Sequence, residues 1–229
     1  MHAITVLGND LHLLPQKAIY IEQLKALLVS DVHLGKAETF QVQGVPIPNA
    51  INQEILNRLQ TLCAQFELDY VFILGDLFHS KAALVDEVLN GWFKFVQHLN
   101  ASVQLIVGNH DRPLVPVLES LSIQCILDAI QINNLILSHE PTPQPNCLNI
   151  CGHVHPCVRI KSKLDNLRLP CFYLETSQNL LILPSFGAFT GSYEVAIAGG
   201  NTAYIVAENT VIAWNGNDYR NKTPFWKRI

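Results

Sequence analysis

The sequence is short of charge: Asp, Glu, Lys and Arg make up 15% of its 229 residues, against about 25% in an ordinary soluble domain. With 49% hydrophobic residues the chain can build a sizeable core, which excludes the disordered and low-complexity classes. It has no run of five Lys or Arg, and its 15 basic residues are outnumbered by 19 acidic ones, for a net charge of −4. That balance argues against a protein that holds nucleic acid chiefly by neutralising phosphates. Cys63, Cys125, Cys147, Cys151, Cys157 and Cys171 show no Cys-x-x-Cys pairing; a reducing compartment would keep them as thiols, most of them small buried apolar residues. Met1 to Val6 has neither a basic region nor a long apolar stretch, and uncharged stretches such as 176–193 are broken by Gln178, Asn179, Pro184, Gly187 and Gly191. The expectation is therefore no signal peptide, no membrane partner and a cytoplasmic location. Internal repeats and linkers rich in Gly, Ser or Pro are also missing, so residues 1-229 read as one domain.

What is present is a series of short apolar runs. Ala3 to Val6, Leu11 to Leu14 and Ala18 to Ile21, separated by Gly8-Asn9-Asp10 and Pro15-Gln16, read as a hairpin-like opening. Lys25 to Ser30, Tyr70 to Leu74 and Val103 to Val107 have the length and composition of buried strands. Between them, Ala50 to Phe66 (apolar at Ile51, Ile55, Leu59, Leu62 and Phe66) and Leu84 to His98 (apolar at Val88, Leu89, Trp92, Phe95 and Val96) have the three- and four-residue spacing of amphipathic helices. Strands alternating with helices imply parallel pairing with crossovers. After residue 120 the runs Ile123 to Leu127, Leu135 to Leu137, Leu148 to Ile150, Leu180 to Leu183, Ala203 to Val206 and Val211 to Trp214 are separated by Asn, Pro and Gly. Those runs suit antiparallel strands of a second sheet.

Each buried strand of the first half stops in a polar cluster: Asp31-Val32-His33, Gly75-Asp76 and Gly108-Asn109-His110-Asp111. Ligands of open α/β sheets collect beyond the carboxyl ends of the strands, so the three clusters are expected to converge. The second half adds Ser138-His139 and Gly152-His153-Val154-His155. Carboxylates, an amide oxygen and imidazoles together suit Mn²⁺, Fe or Zn²⁺ rather than Ca²⁺, which prefers oxygens alone, or a thiolate zinc site. Seven candidates, Asp31, His33, Asp76, Asn109, His139, His153 and His155, exceed what one ion needs once water and substrate are counted. Two ions are therefore expected, with a carboxylate such as Asp76 able to bridge them. His153 and His155, two apart on an extended segment, would face the same side and each reach one ion.

These signatures, in this order over residues 31–155, resemble the calcineurin-like metallophosphoesterases. Carried over by position, the resemblance implies one metal on Asp31, His33, Asp76 and His155 and another on Asp76, Asn109, His139 and His153. It also implies the family's α/β fold, a four-layer α/β/β/α sandwich of two stacked mixed sheets flanked by helices. A narrower resemblance rests on Gly75-Asp76-Leu77-Phe78-His79, His139-Glu140-Pro141, Arg168-Leu169-Pro170-Cys171-Phe172 and the stretch Leu183 to Gly191. These look like the ligase-associated DNA damage response endonucleases, the PdeM-type group. That group implies a phosphodiester substrate such as single-stranded DNA or a nucleotide, a role in DNA repair, and a functional link to an ATP-dependent DNA ligase and a helicase.

The mechanism so implied is attack on phosphorus by a metal-bridging hydroxide, whose pKa falls from 15.7 toward ~7 between two dications. Mn²⁺ leads as the divalent cofactor, with Fe, Zn²⁺ and Ni²⁺ as alternatives. His110, beside Asn109 and outside the ligand set, would act on the leaving oxygen as proton donor or bind the phosphoryl oxygens. One position departs from the superfamily, most of which has an acidic residue three places after the bridging Asp, where this chain has His79. A carboxylate there would keep His110 cationic; a neutral imidazole does so less. His79 is thus read either as a supporting or substrate-facing group, or as a packed histidine. Lys36 and Arg112 could touch phosphate or simply be solvated loop residues. Phe186, Phe189 and Tyr193 suit a tight packed loop better than a base-stacking surface.

Three functions are distinguished. The first is a dinuclear phosphodiesterase or nuclease. The second is a small-molecule phosphomonoesterase or nucleotide pyrophosphatase, although the short run between Asp111 and His139 leaves little room for a lid over a lipid. The third is a catalytically inactive partner-binding scaffold, against which the intact ligand set weighs.

Overall fold

The computed structural model describes residues 1–215 apart from Gln43, Pro46, Asn49, Ser122, residues 162–165, Phe189 and Ala198. The first sheet takes its strands in chain order: β1 (His2–Val6), β2 (Asn9–Leu14), β3 (Ala18–Ile21), β4 (Ala26–Val29), β5 (Tyr70–Leu74), β6 (Ser102–Ile106) and β7 (Gln124–Ile126). Pairing is antiparallel from β1 to β4 and parallel from β4 to β7. Helices α1 (Lys36–Val42) and α2 (Ala50–Cys63) cross from β4 to β5, α3 (Asp86–Gln97) from β5 to β6, and the short α4 (Val115–Leu118) lies before β7.

The helices cover one face of this sheet because their apolar stripes match the alternation of the strands. Val88, Trp92 and Phe95 of α3 and Ile55, Leu59 and Leu62 of α2 pack with Leu27, Val29, Val71, Ile73, Val103 and Leu105. Asp86 and Glu87 in the first turn of α3 lie where the helix dipole favours negative charge. The intervening strand residues Leu28, Phe72, Leu74 and Ile106 point the other way, against Leu135, Leu137, Leu148, Ile150 and Leu181 of the second sheet.

That second sheet contains β8 (Ala129–Ile132), β9 (Leu135–Ser138), β10 (Leu148–Cys151), β11 (Pro156–Lys161), β12 (Asn166–Glu175), β13 (Leu180–Ile182), β14 (Tyr193–Glu194), β15 (Thr202–Ala207) and β16 (Thr210–Trp214). Their path is β14-β11-β12-β13-β10-β9-β8, with β15 on β12 and β16 on β15. The architecture is thus two stacked mixed sheets with helices outside, as expected. Among the described residues the α-helices all precede residue 119. The far face of the second sheet instead carries an apolar cluster that includes Cys151, Tyr173, Ile182 and Ile205 with Val154, Val158 and Val195.

Two details correct the sequence reading. The run from Ile123 forms β7, which extends the first sheet in parallel instead of entering the second. In the second sheet, β9, β10 and β13 are mutually parallel. A short apolar strand buried on both faces reads alike in either pairing, so composition cannot fix its direction. No described helix is long and apolar enough to cross a membrane, and the six cysteines carry no disulfide.

Candidate metal centre

The polar clusters meet where β4, β5, β6, β9 and β10 end. The loops after β4 and β5 are zipped together through the backbone: the amides of Asp31, His33 and Leu34 donate to the carbonyls of Gly75, Asp76 and Leu77 at 3.0, 2.9 and 2.8 Å. Five candidate ligands, Asp31, His33, Asp76, His153 and His155, adopt the left-handed backbone region, with φ between 51° and 67°. For non-glycine residues that conformation costs about 1–3 kcal/mol each and persists only where surrounding contacts impose it. It also corrects the expected extended segment at His153 and His155. Their convergence comes from two left-handed residues in a bend, φ 67° and 53°, flanking Val154.

Glycine is required where loops touch the ligands. A Cβ on Gly108 would collide with Asp76 Oδ1, and one on Gly152 with Ser30 Oγ. Asp111, given no role from the sequence, clamps the assembly from beneath. Its carboxylate is fully buried and accepts from the amides of Leu77 (3.1 Å), Phe78 (3.3 Å) and Gly108 (3.2 Å). Burial, and then the charge of Asp76, push the Asp111 carboxyl up to about 6. Its place within Gly108-Asn109-His110-Asp111 was the available sequence signal.

The seven candidate ligands form two adjoining groups. In the first, the atoms of Asp31, His33 and His155 lie within 4.8 Å of one another. Asp31 Oδ2 accepts from the Ser30 hydroxyl and from the His153 amide at 3.0 Å, while Asp31 Oδ1 faces His155 Nε2 at 3.1 Å. In the second, His139 Nε2 lies 3.0 Å from Asn109 Oδ1 and 3.1 Å from His153 Nδ1. Asp76 lies between them, with Oδ2 at 4.0 Å from His33 Nε2 and 3.6 Å from His139 Nε2. Asp31, Asp76, His33 and His139 are all buried.

The protonation pattern fits a cation. His139 Nδ1 donates to the Leu74 carbonyl (2.9 Å) and His155 Nδ1 to the Gly191 carbonyl (3.0 Å), which leaves each Nε2 lone pair aimed inward. Asp31 Oδ1 and His155 Nε2 face each other at 3.1 Å, each buried and without another hydrogen-bond partner, so a proton on Nε2 joins them as an ion pair and a metal ion would take the place of that proton. Burial opposes the charges of Asp31 and His155, yet their mutual attraction prevails, holding Asp31 at about 2 and raising His155. Asp76 is pushed up by burial and by the Asp31 charge, although the imidazole of His139 opposes this. Burial pulls His33 down to about 3, and neutral imidazoles are the form that binds metal.

The remaining candidates divide. His110 Nδ1 donates to the main-chain carbonyl of His79 at 2.6 Å, and its ring stacks on that of His79 at 4.9 Å. A carbonyl therefore occupies the orienting place where a carboxylate was considered. The His79 ring reaches His33, Nδ1 to Nδ1, at 3.4 Å, and burial lowers its pKa to about 4. Lys36 opens α1 near enough for its charge to act on both His33 and His79. Arg112 is exposed and sits on the far rim, 3.9 Å from Asp128, a contact worth little in water. Phe186 is fully buried, which matches a packed loop; Phe189 lies outside the described residues. Cys151 is buried, and burial raises its thiol well above the usual range, so it is no nucleophile.

A family model described as calcineurin-like phosphoesterase matches residues 24–222. A search of curated proteins returned no match. Among solved structures, the chain is similar to the nuclease MPE of Pseudomonas putida, with 34% identity over 93% of this chain and 99% of that one and a TM-score of 0.81. It also aligns with a protein of unknown function from Aquifex aeolicus, with 22% identity over 57% of this chain and 78% of that one and a TM-score of 0.40.

Proposed function

Because this chain belongs to the calcineurin-like phosphoesterase family and is a metal-dependent phosphoester hydrolase, we propose that it is a dinuclear phosphodiesterase acting on nucleic acid or a nucleotide-derived diester. The observation that carries this is the place of the Asp76 carboxylate between the Asp31, His33 and His155 group and the Asn109, His139 and His153 group, with Oδ2 at 4.0 Å from His33 Nε2 and 3.6 Å from His139 Nε2. On this reading Asp31, His33, Asp76 and His155 hold one ion, and Asp76, Asn109, His139 and His153 the other. Mn²⁺ is the leading choice among ions that accept mixed oxygen and imidazole donors. When bound, such a pair supplies a water ionised near neutral pH and positive charge for the phosphoryl oxygens.

The chain's own residues then set the geometry. The Leu74 and Gly191 carbonyls fix the tautomers of His139 and His155, and the Ser30 hydroxyl and His153 amide orient Asp31. His110, with its Nδ1 proton committed to the His79 carbonyl, turns Nε2 to the leaving oxygen or a phosphoryl oxygen. Only the imidazolium form, protonated at both ring nitrogens, has an Nε2 proton to transfer, while the neutral form offers a lone pair there; the His79 ring stacked on it limits its rotation. The nuclease relative supports a diester over a monoester substrate. The DNA-repair setting and the link to a ligase and a helicase rest on the narrower motif resemblance.

The test is to reconstitute metal-free protein with Mn²⁺, Ni²⁺ or Zn²⁺ and assay an aryl phosphodiester, an aryl phosphomonoester and single-stranded DNA. Diester and DNA turnover are expected to return with at least one metal. Turnover of the monoester alone would favour the phosphomonoesterase reading, and no hydrolysis with any metal would leave only the scaffold.

A further inference from the structure

Arg168 and Pro170 find no use in the metal centre, and Ser185, Gly187 and Gly191 serve it only by bonding the Asp31 carbonyl and the Nδ1 side of His155. They lie together as walls of one cleft of about 240 Å³, completed by Lys17 from the β2–β3 turn and by His155. His155 is shared, so the cleft begins where the metal centre ends. No carboxylate lines it; its polar side chains are Lys17, Arg168, His155, Ser185, Thr190 and Ser192. Behind it, Arg58 stacks 4.1 Å over the Phe186 ring and donates to the Phe186 carbonyl, but its buried Nε has no partner. Among the described residues, none of Lys17, Arg58 and Arg168 forms an ion pair. In a chain with only 15 basic residues and an excess of acidic ones, the half-buried Lys17 and the exposed Arg168 on the wall of the cleft, with Arg58 close enough for its charge to act on Lys17, make this side of the centre favourable to an anion. The cleft on the opposite side of the centre differs, because there Asp128 and Glu140 stand beside Arg112.

We infer that the Lys17–Arg168 cleft binds the phosphate of the nucleotide next to the scissile bond, so that the enzyme prefers a polynucleotide to an isolated diester. This rests on the phosphodiesterase reading above. The volume fits the role: it falls below the ~300–1,000 Å³ of pockets that engulf a drug-sized ligand, and so suits a phosphate with part of its sugar while the base remains outside. Burial, followed by the charge of Arg58, draws Lys17 down to about 8, the strain of a cation removed from water without a counter-ion, which a bound phosphate relieves. The arrangement also locates strand binding. One flanking phosphate is held locally, which needs no basic track.

The experiment compares wild type, Arg168→Gln and Lys17→Gln/Arg168→Gln in two measurements. The first is binding of a short oligothymidylate to metal-free protein, by fluorescence anisotropy over a range of salt. Loss of the one phosphate contact in the double variant is expected to weaken binding about tenfold and to flatten the slope of log K against log salt by roughly 0.7, with Arg168→Gln alone giving a smaller change in the same direction. Lys17→Arg is expected to keep the wild-type slope. The second measurement is kcat/KM with metal on the oligothymidylate and on a dinucleoside monophosphate, which has no flanking phosphate; the preference for the longer substrate is expected to fall by about the same tenfold. An unchanged salt slope, or equal loss on both substrates, overturns the cleft. Absence of all hydrolysis in wild type would refute the phosphodiesterase reading instead, and the metal-free binding comparison would still decide the cleft.

Discussion

Asp76→Asn is expected to lower phosphodiester turnover by about a thousandfold or more, equivalent to ~4 kcal/mol of transition-state stabilisation, while the protein still folds. The two halves of this expectation have separate physical causes. The Asp76 carboxylate lies within reach of both histidine sets, at 4.0 Å from His33 and 3.6 Å from His139. An amide removes the negative charge that lets one group serve two cations. Folding, by contrast, does not depend on that charge. Burial and the nearby Asp31 already raise the Asp76 pKa, so a neutral isostere relieves a repulsion, and its Oδ1 can still accept from the His110 amide, 3.0 Å away. The melting temperature of the metal-free variant should equal or exceed that of metal-free wild type, and the rise in melting temperature on adding Mn²⁺ should shrink. Wild-type turnover in this variant would refute the bridging role.

Gly152→Ala is expected to weaken metal binding by about 100-fold, the upper end of what loss of ligand support costs, without altering any candidate ligand. The added methyl would fall on Ser30 Oγ and within 2.6 Å of Asp31 Oδ2. Ser30 is one of the two donors that orient Asp31, and the His153 amide, next to the substituted residue, is the other. The substitution therefore disturbs both supports of one carboxylate and the placement of His153. Calorimetric titration with Mn²⁺ gives the affinity, and circular dichroism of the metal-free form checks that the fold persists. Unaltered affinity would mean that Asp31 is not held by these contacts.

The parts of the site that were legible in the sequence were those with a local cause. Val29, Leu74 and Ile106 end apolar strands buried in the structure, so the polar residues that follow them had to gather at one edge of the sheet. His79 was legible as a departure from the superfamily pattern, but its function was not. It acts on His110 through a main-chain carbonyl, and every residue type carries one. His153 and His155 were expected to face one way through strand alternation, and they converge through positive φ at both, a geometry fixed by the Asp31 and Gly191 contacts made far along the chain. Lys17 gave no signal at all, because its place in the cleft depends on how the β2–β3 turn meets residues more than 130 positions later. The direction of β7, β9, β10 and β13 was hidden for the same reason. It follows from long-range pairing, while the local sequence specifies only a buried strand.

The central claim, that one carboxylate joins two metal sites, is tested most directly by the anomalous difference map of a crystal grown with Mn²⁺. The account predicts two peaks that share Asp76, one also contacting Asp31, His33 and His155 and the other Asn109, His139 and His153. A single peak at full metal loading, or two peaks with Asp76 bound to only one, would contradict it.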